Sequence, residues 1–445
     1  MKRTIIKNGL IINSGETIHG DIMIEGQRIT KIGGIINESG KEINAEGHWV
    51  IPGLIDDQVH FREPGLTHKA DIFSESRAAV AGGVTSFMEM PNTSPPAVTA
   101  EKLEEKYAIA ASRSWCNYSF FMGTTNDNYD ELMSLDYSQV CGIKIFMGSS
   151  TGNMLVDSMS VLEKIFAHAP TLIATHCEDE ETIKKRHQYY SDAFGQSLNA
   201  AFHPVIRNER ACLLSSSLAV NLARKHNTRL HILHISSMEE LALFDNLLPL
   251  KDKRITSEVC VHHLWFTADN YEYLGNLIKC NPAIKSNRHA PALFEALLDG
   301  RLDVIATDHA PHTWEEKSKP YAQSPSGLPL VQHALPMMMK WVHDGRISKE
   351  MLVEKMCHNP AIAFNIQNRG FLKGDFFADI AIVDPDQEWK VEKENILYKC
   401  AWSPLEQTSL KGKVVHTFIN GSHVFDNGQF SEPGMGMRLQ FNSHQ

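Results

Sequence analysis

The sequence predicts a (β/α)8 barrel of the TIM type carrying a small β-sandwich domain formed by both termini. Three observations predict it. From Gly53 to about residue 308, eight short apolar runs alternate with longer segments of helical periodicity, the texture of βα units. Before residue 52 and after about residue 365 the chain instead shows short β-type runs broken by Gly-containing turns. No GxGxxG and no GxxxxGKS or GxxxxGKT occurs, so a doubly wound sheet lacks its phosphate-binding turn.

In chain order, TIIKNGLIIN (4–13) and GDIMIEGQRITKIGG (20–34) read as a small antiparallel sheet. The barrel runs are LIDDQV (54–59), TSFMEM (85–90), YSFFMG (118–123), GIKIFM (142–147), TLIATH (171–176), RLHILHI (229–235), ITSEVC (255–260) and DVIATD (303–308). Helical stretches such as TAEKLEEKYAIAASR (99–113) and MEELALFDNLL (238–248) separate them. GDFFADIAIVD (374–384), GKVVHTFING (412–421) and HVFDNG (423–428) then return to strands. Pairing this tail with the N-terminal strands divides the chain into residues 1–51 plus 365–445 and a barrel over residues 52–364.

With 42% hydrophobic and 22% charged residues in 445, the chain has the balance of an ordinary globular protein with a sizeable core. Its net charge of -10, without a Lys/Arg run, argues against nucleic acid as a partner. No stretch approaches the ~18 apolar residues of a membrane helix, and Asn8, Gly9 and Asn13 interrupt the N-terminal apolar run before a signal-peptide core forms. A cytoplasmic protein with no membrane partner is expected. The eight cysteines are scattered singly and read as reduced, mostly buried thiols.

Barrel enzymes carry their reactive groups at the C-terminal ends of the strands, which gives polar residues there special weight. His60 follows the first strand, Asn92 the second, Lys144 lies in the fourth, and His176, His234 and Asp308 end the fifth, sixth and eighth. A single strand-end His is more often hydrogen-bonded structure than a ligand. Three imidazoles and a carboxylate converging on one rim form the nitrogen and oxygen set that zinc and similar metals prefer. Lys144 is the odd member, because a buried ammonium is rare and repels a metal. An ion pair with Asp308, an amine of depressed pKa, or a carbamate made with carbon dioxide would each explain it, and the carbamate suits a two-metal site.

The segments PGLIDDQVHFREPG, MPNT, GIKIFM, THCE, LHIS, TDHAPH and SPLEQTSLKGKV, spread over nearly the whole chain, resemble the dihydroorotases of the cyclic amidohydrolase superfamily. The resemblance implies the same barrel and terminal β-sandwich. It implies two zinc ions bridged by carboxylated Lys144, one held by His176 and His234, the other by His60 and Asp308, with Asp308 also the catalytic proton carrier. It implies that Arg62, Asn92 and His312 bind the substrate carboxylate and that Asn281 contacts the pyrimidine ring. Arg62 has a physical argument of its own, since a planar guanidinium binds a carboxylate bidentately. The implied reaction is the reversible closure of N-carbamoyl-L-aspartate to L-dihydroorotate in pyrimidine biosynthesis, on a small-molecule substrate. Oligomeric state stays open, a homodimer among the options.

Two departures qualify the resemblance. Gln58-Val59-His60 stands where the family has His-x-His, which weakens one metal position, because an amide oxygen is a poorer zinc donor than imidazole. Pro282-Ala283-Ile284-Lys285 replaces a Pro-Pro-Leu-Arg-like stretch, so no Arg role carries over there. The rivals are a hydantoinase or allantoinase, against which Arg62 argues, and a catalytically silent scaffold subunit, which Gln58 alone supports.

Among the remaining histidines, His262 and His263 are expected to brace the rim, and His231 to face away from His234 by strand alternation. His19, His48, His187, His226, His343, His416, His423 and His444 are expected on surface loops or helices. Thr313–Ser326 suits a solvated loop or a cover for the site, and GSSTGNM (148–154) is the better lid candidate.

Overall fold

The β-branched pairs Ile5-Ile6 and Ile11-Ile12 favour a strand, and the first segment makes β1 (Arg3–Asn13), paired antiparallel with β2 (Glu16–Glu25), which pairs in turn with β3 (Arg28–Ile32). The computed structural model describes residues 3–148, 154–431 and 436–442. The terminal sheet is mixed, not purely antiparallel as the sequence suggested, because β4 (Lys41–Asn44) and β5 (Trp49–Pro52) run parallel to β1.

The barrel follows directly. Its strands are β6 (Leu54–Val59), β7 (Val84–Glu89), β8 (Asn117–Phe120), β9 (Met122–Gly123), β10 (Ile143–Phe146), β11 (Ile173–His176), β12 (Leu230–Ile232), β13 (Ile255–Cys260) and β14 (Val304–Ala306). Neighbouring strands pair parallel. The third predicted run is split at Phe121, so β8 pairs with β7 and β9 with β10. A parallel bridge between Val59 and His309, with the His60 N–H donating to the His309 carbonyl at 2.7 Å, joins the last strand to the first. The fold is therefore a (β/α)8 barrel with a β domain.

Each barrel strand is buried on both faces, as parallel sheets are. Helices cover the outside: in Ala100–Arg113, capped by Thr99, buried Leu103, Tyr107 and Ala110 recur at the three-to-four-residue spacing of one helical face. The predicted helix MEELALFDNLL shortens to a 3-10 turn over Met238–Leu243. Its capping box, Ser237 with Glu240, starts the element, and the turn-favouring pair Asp245-Asn246 lies just beyond its end.

After the barrel, β15 (Ile380–Lys390) pairs antiparallel with β5, followed by β16 (Ser409–Ile419), β17 (Ser422–Asp426) and β18 (Gln429–Phe430). Both chain ends thus share one nine-stranded sheet, ordered β18-β17-β16-β15-β5-β1-β2-β3 with β4 beside β1. Ile6, Ile22, Val50, Ile380 and Phe418 close its core. All eight cysteines are unpaired, seven buried and Cys400 half-buried. No helix of the described residues is long and apolar enough to cross a membrane.

Candidate active site

All nine residues singled out from sequence, His60, Arg62, Asn92, Lys144, His176, His234, Asn281, Asp308 and His312, line one cavity of about 300 Å³ at the barrel mouth. Gln58 and Phe146 complete its inner wall, and Pro325, Ser326 and Gly327 its outer one. Of the Thr313–Ser326 segment, Pro325 and Ser326 reach the cavity, while Trp314, Lys319, Pro320 and Gln323 are exposed; it starts with a short helix, Trp314–Lys317, opened by a Thr313/Glu316 capping box. Residues 149–153 of the lid candidate, and His444, lie outside the described residues.

Three of these residues, Arg62 (φ 68°), His234 (φ 40°) and Asp308 (φ 45°), have left-handed backbones that non-glycine residues rarely adopt. Such conformations persist where the surroundings over-determine them. At His234 the left-handed turn comes just after β12 ends at Ile232. It cancels the expected alternation, and His231 also points into the barrel, where it lies 3.2 Å from Asp57 and 3.3 Å from Glu258.

The imidazoles are oriented by their outer nitrogens. His60 Nδ1 donates to Asn92 Oδ1 at 2.8 Å, which leaves the lone pair of Nε2 facing Asp308 Oδ1 at 3.1 Å. His176 Nε2 donates to Glu178 Oε2 at 3.0 Å, which leaves its Nδ1 lone pair 3.0 Å from His234 Nε2. His234 Nδ1 is buried without a hydrogen-bond partner. Burial lowers the proton affinity of all three rings and so keeps them neutral; neutral His234 either gives its one proton from Nε2 to His176 Nδ1 or holds it on Nδ1 and leaves Nε2 open to a metal. His176 with His234, and His60 Nε2 with the Asp308 carboxylate, stand at 3.0 and 3.1 Å, separations at which a divalent cation can take both members of a pair. The fit to a metal is good.

Lys144 is fully buried beneath them, its amine 4.6 Å from the centre of the Phe146 ring. Burial pushes its pKa down to about 7, against the pull of Asp308 and Glu258. Gln58 donates from Nε2 to Asp308 Oδ1 at 3.2 Å, while Cys260 Sγ donates to its Oε1 at 3.7 Å. Its amide is spent on orienting Asp308.

Residues 49–424 match the amidohydrolase family. The chain belongs to the amidohydrolase family. A dihydroorotase of Halobacterium salinarum is 33% identical over 413 residues, covering 91% of this chain and 93% of its own. A dihydroorotase of Thermococcus kodakarensis is 31% identical, covering 98% of both. Among solved structures, the L-hydantoinase (dihydropyrimidinase) of Arthrobacter aurescens superposes with a TM-score of 0.93 at 26% identity, over 99% of this chain and 100% of that one. This amidohydrolase is a metal-dependent enzyme of the cyclic-amide type.

Beside the imidazoles the amidohydrolase has a pocket of hydrogen-bond donors. Lys69, which can only donate, lies 3.1 Å from His312 Nδ1, so that nitrogen accepts and Nε2 carries the ring proton. Nε2–H points to the Ser326 carbonyl at 3.0 Å, with Arg62 Nη2, a second donor, 3.1 Å away. Arg62 Nε is held by the Pro311 carbonyl at 3.1 Å. Asn92 has its oxygen committed to His60 and its NH2 free. His203 donates to Asn281 Oδ1 at 3.2 Å and likewise leaves that NH2 free. Burial lowers the Arg62 pKa to about 10, which still keeps the charge at neutral pH.

Sequence reasoning missed the supporting layer. Glu178 stood in the quoted THCE but went unassigned; it is fully buried and bound by Arg207 Nε at 3.1 Å. Lys69 sits seven residues after Arg62 with nothing local to single it out. Glu258 accepts from the His234 N–H at 3.0 Å and from His231, tying both histidines to β13. Lys285, in the departing Pro-Ala-Ile-Lys stretch, turns from the cavity to Ser236 Oγ at 2.7 Å. His262 and His263 are buried in a short helix past β13, off the cavity lining. His19, His416 and His423 lie on strands of the terminal sheet instead of loops or helices.

Proposed function

We propose that the chain is a dihydroorotase, closing N-carbamoyl-L-aspartate to L-dihydroorotate and reopening the ring, in de novo pyrimidine synthesis. The observation that carries this reading is the adjacency of two features: ring-nitrogen and carboxylate donors paired at metal-binding separations, and the buried Arg62 guanidinium with the free NH2 of Asn92 beside His312. A cyclic amide that itself bears a carboxylate engages both at once. A hydantoin ring without a carboxylate would leave the buried Arg62 charge without an anion. The dihydroorotase names of the relatives point the same way.

His176 and His234 would hold one zinc, His60 and Asp308 a second, with Lys144 between them. A free amine of pKa near 7 can attack carbon dioxide, forming an N–C bond and releasing a proton to water, which would give Lys144 a carboxylate able to help hold metal. Bound there, divalent metal polarises the amide carbonyl and lowers the pKa of the attacking water. Asp308 takes the proton from that water and returns it to the ring nitrogen as the C–N bond breaks. Arg62, Asn92 and His312 grip the carboxylate and set the scissile bond against the nucleophile, while the free NH2 of Asn281 reaches the ring. The proposal assigns the enzyme to the cytoplasm, in keeping with its unpaired cysteines, and treats residues 1–51 with 365–445 as one unit and 52–364 as the catalytic one.

The test is hydrolysis of dihydroorotate, dihydrouracil and hydantoin by zinc-loaded protein of measured metal content. Dihydroorotate should be preferred by at least about 10-fold in kcat/KM, the worth of one charge-assisted contact. Equal or better hydrolysis of hydantoin overturns the reading in favour of a hydantoinase, and metal-loaded protein inert to all three overturns it in favour of a scaffold.

A further inference from the structure

A second cluster of imidazoles and carboxylate lies on the terminal sheet. His416 of β16 faces Asp426 of β17 across the ladder, and a register irregularity between Thr417 and Phe418 brings His423 beside them. His416 Nδ1 is 3.2 Å from His423 Nε2 and 3.2 Å from Asp426 Oδ1. The three donor atoms all lie within 4.8 Å of one another. Phe418 stacks on the His423 ring at 4.6 Å with the planes 13° apart, which fixes the ring. With neutral rings, His416 Nδ1 faces both the His423 nitrogen and the Asp426 carboxylate, and whichever tautomers the two rings adopt it cannot accept from the first and donate to the second at once. A divalent cation would satisfy all three. Ligands roughly 2.0–2.2 Å from a tetrahedral zinc stand about 3.3–3.5 Å apart, close to the two 3.2 Å spacings around His416 Nδ1.

We propose that His416, His423 and Asp426 form an accessory site for a divalent metal of the zinc class, clamping β17 to β16. Two imidazoles and one carboxylate favour zinc, cobalt, nickel or copper over magnesium and calcium, which take all-oxygen shells. Beside it a cavity of about 530 Å³, bordered by His48, Asp384, Asp386 and His416, leaves room for water at the remaining positions. One group opposes binding: the exposed Lys41 ammonium, 3.5 Å from His423 Nδ1. A ring bound through Nε2 carries its proton on Nδ1, so Lys41 must swing outward, which an exposed side chain can do.

The experiment uses the full chain, stripped with chelator and titrated with zinc by equilibrium dialysis, counting equivalents by atomic spectroscopy. The parent should bind one equivalent more than His416→Ala/His423→Ala. Lys41→Gln should tighten that equivalent by about 5-fold, the worth of one nearby like charge in water. If the double variant does not fold, Asp426→Asn, a change at an exposed position, decides the matter: it should weaken the same equivalent by at least about 10-fold. Equal equivalents in parent and double variant, or an affinity indifferent to both Lys41→Gln and Asp426→Asn, overturns the proposal.

Discussion

The barrel mouth and the edge of the terminal sheet gather the same kinds of side chain, yet they differ in what stands behind them. At the mouth three of the four rings have an outer partner that selects the tautomer: Asn92 for His60, Glu178 for His176, Lys69 for His312. Glu178 is itself fixed by Arg207, and the backbones of His234 and Asp308 are held in left-handed conformations. At the sheet edge, the ladder register and one stacked ring position the histidines, and the Asp426 side chain is 57% exposed. Ligand identity does not separate the two clusters. The layer behind the ligands does, since it fixes geometry before anything binds.

The most severe way to break the mouth is through Lys144. Lys144→Ala should lower kcat/KM for dihydroorotate by more than about 10²-fold and reduce bound metal, because loss of even an outer-shell partner costs 10- to 100-fold. Short-chain carboxylic acids should restore part of the rate by standing in for the carboxylate. His416→Ala/His423→Ala, treated alike, should leave that rate unchanged, and an equal loss in both would erase the distinction drawn here.

Next in size is the anion pocket. Arg62→Met should cost dihydroorotate hydrolysis about 1.5 to 3 kcal/mol in transition-state binding and leave dihydrouracil hydrolysis nearly untouched. Lys69→Met should act in the same direction but less, because it removes the donor that sets the His312 tautomer and the 3.0 Å ion pair to Glu316, and Lys69→Arg should recover most of the loss. Steady-state kinetics on both rings measures this, and a uniform loss across substrates would mean that Arg62 serves the fold alone.

A smaller effect sharpens the comparison within the mouth itself. Gln58 spends its amide on Asp308 and Cys260, so the position near His60 has fewer donors than the one between His176 and His234. In His416→Ala/His423→Ala, which lacks the sheet-edge cluster, dialysis against a mild chelator should remove one equivalent of metal first, with activity falling in parallel. Gln58→His should slow that loss. Two equivalents leaving together, at one rate, would show that the two positions are equally held.

How much of this could be read from the chain follows from the same contrast. The eight barrel strands were legible because each is a short apolar run between helical segments. The rim residues were legible because strand ends carry meaning in a barrel. The parallel pairing of β4 and β5 with β1 was not, since a crossover leaves no mark in local periodicity. Nor was the shared inward aim of His231 and His234, which depends on the left-handed backbone at His234. Glu178 and Arg207 lie 29 residues apart and Lys69 and His312 lie 243 apart, so their pairing exists only once the fold brings them together.

The mildest prediction takes the contrast into the terminal sheet, where a buried polar cluster serves stability alone. Asp21 accepts from Lys7 Nζ at 2.6 Å, the Ile36 N–H at 2.8 Å and the Asn8 N–H at 2.9 Å, and so ties β2 to β1 and to the loop before β4. Burial raises its carboxyl pKa, but the Ile36, Lys7 and Asn8 donors outweigh that and hold it below the ordinary value. A carboxyl depressed in the folded state contributes stability that is fully present above the unfolded pKa, about 3.9, and fades as pH falls through the folded value. Asp21→Ala should therefore cost about 1 to 3 kcal/mol at pH 7, from three donors left unsatisfied. In urea unfolding of the metal-free protein, the gap between parent and variant should hold from pH 7 to 5 and narrow below about pH 4. Hydrolysis at the barrel mouth should not change at pH 7. A gap that persisted undiminished to low pH would mean that Asp21 contributes through packing and not through its charge.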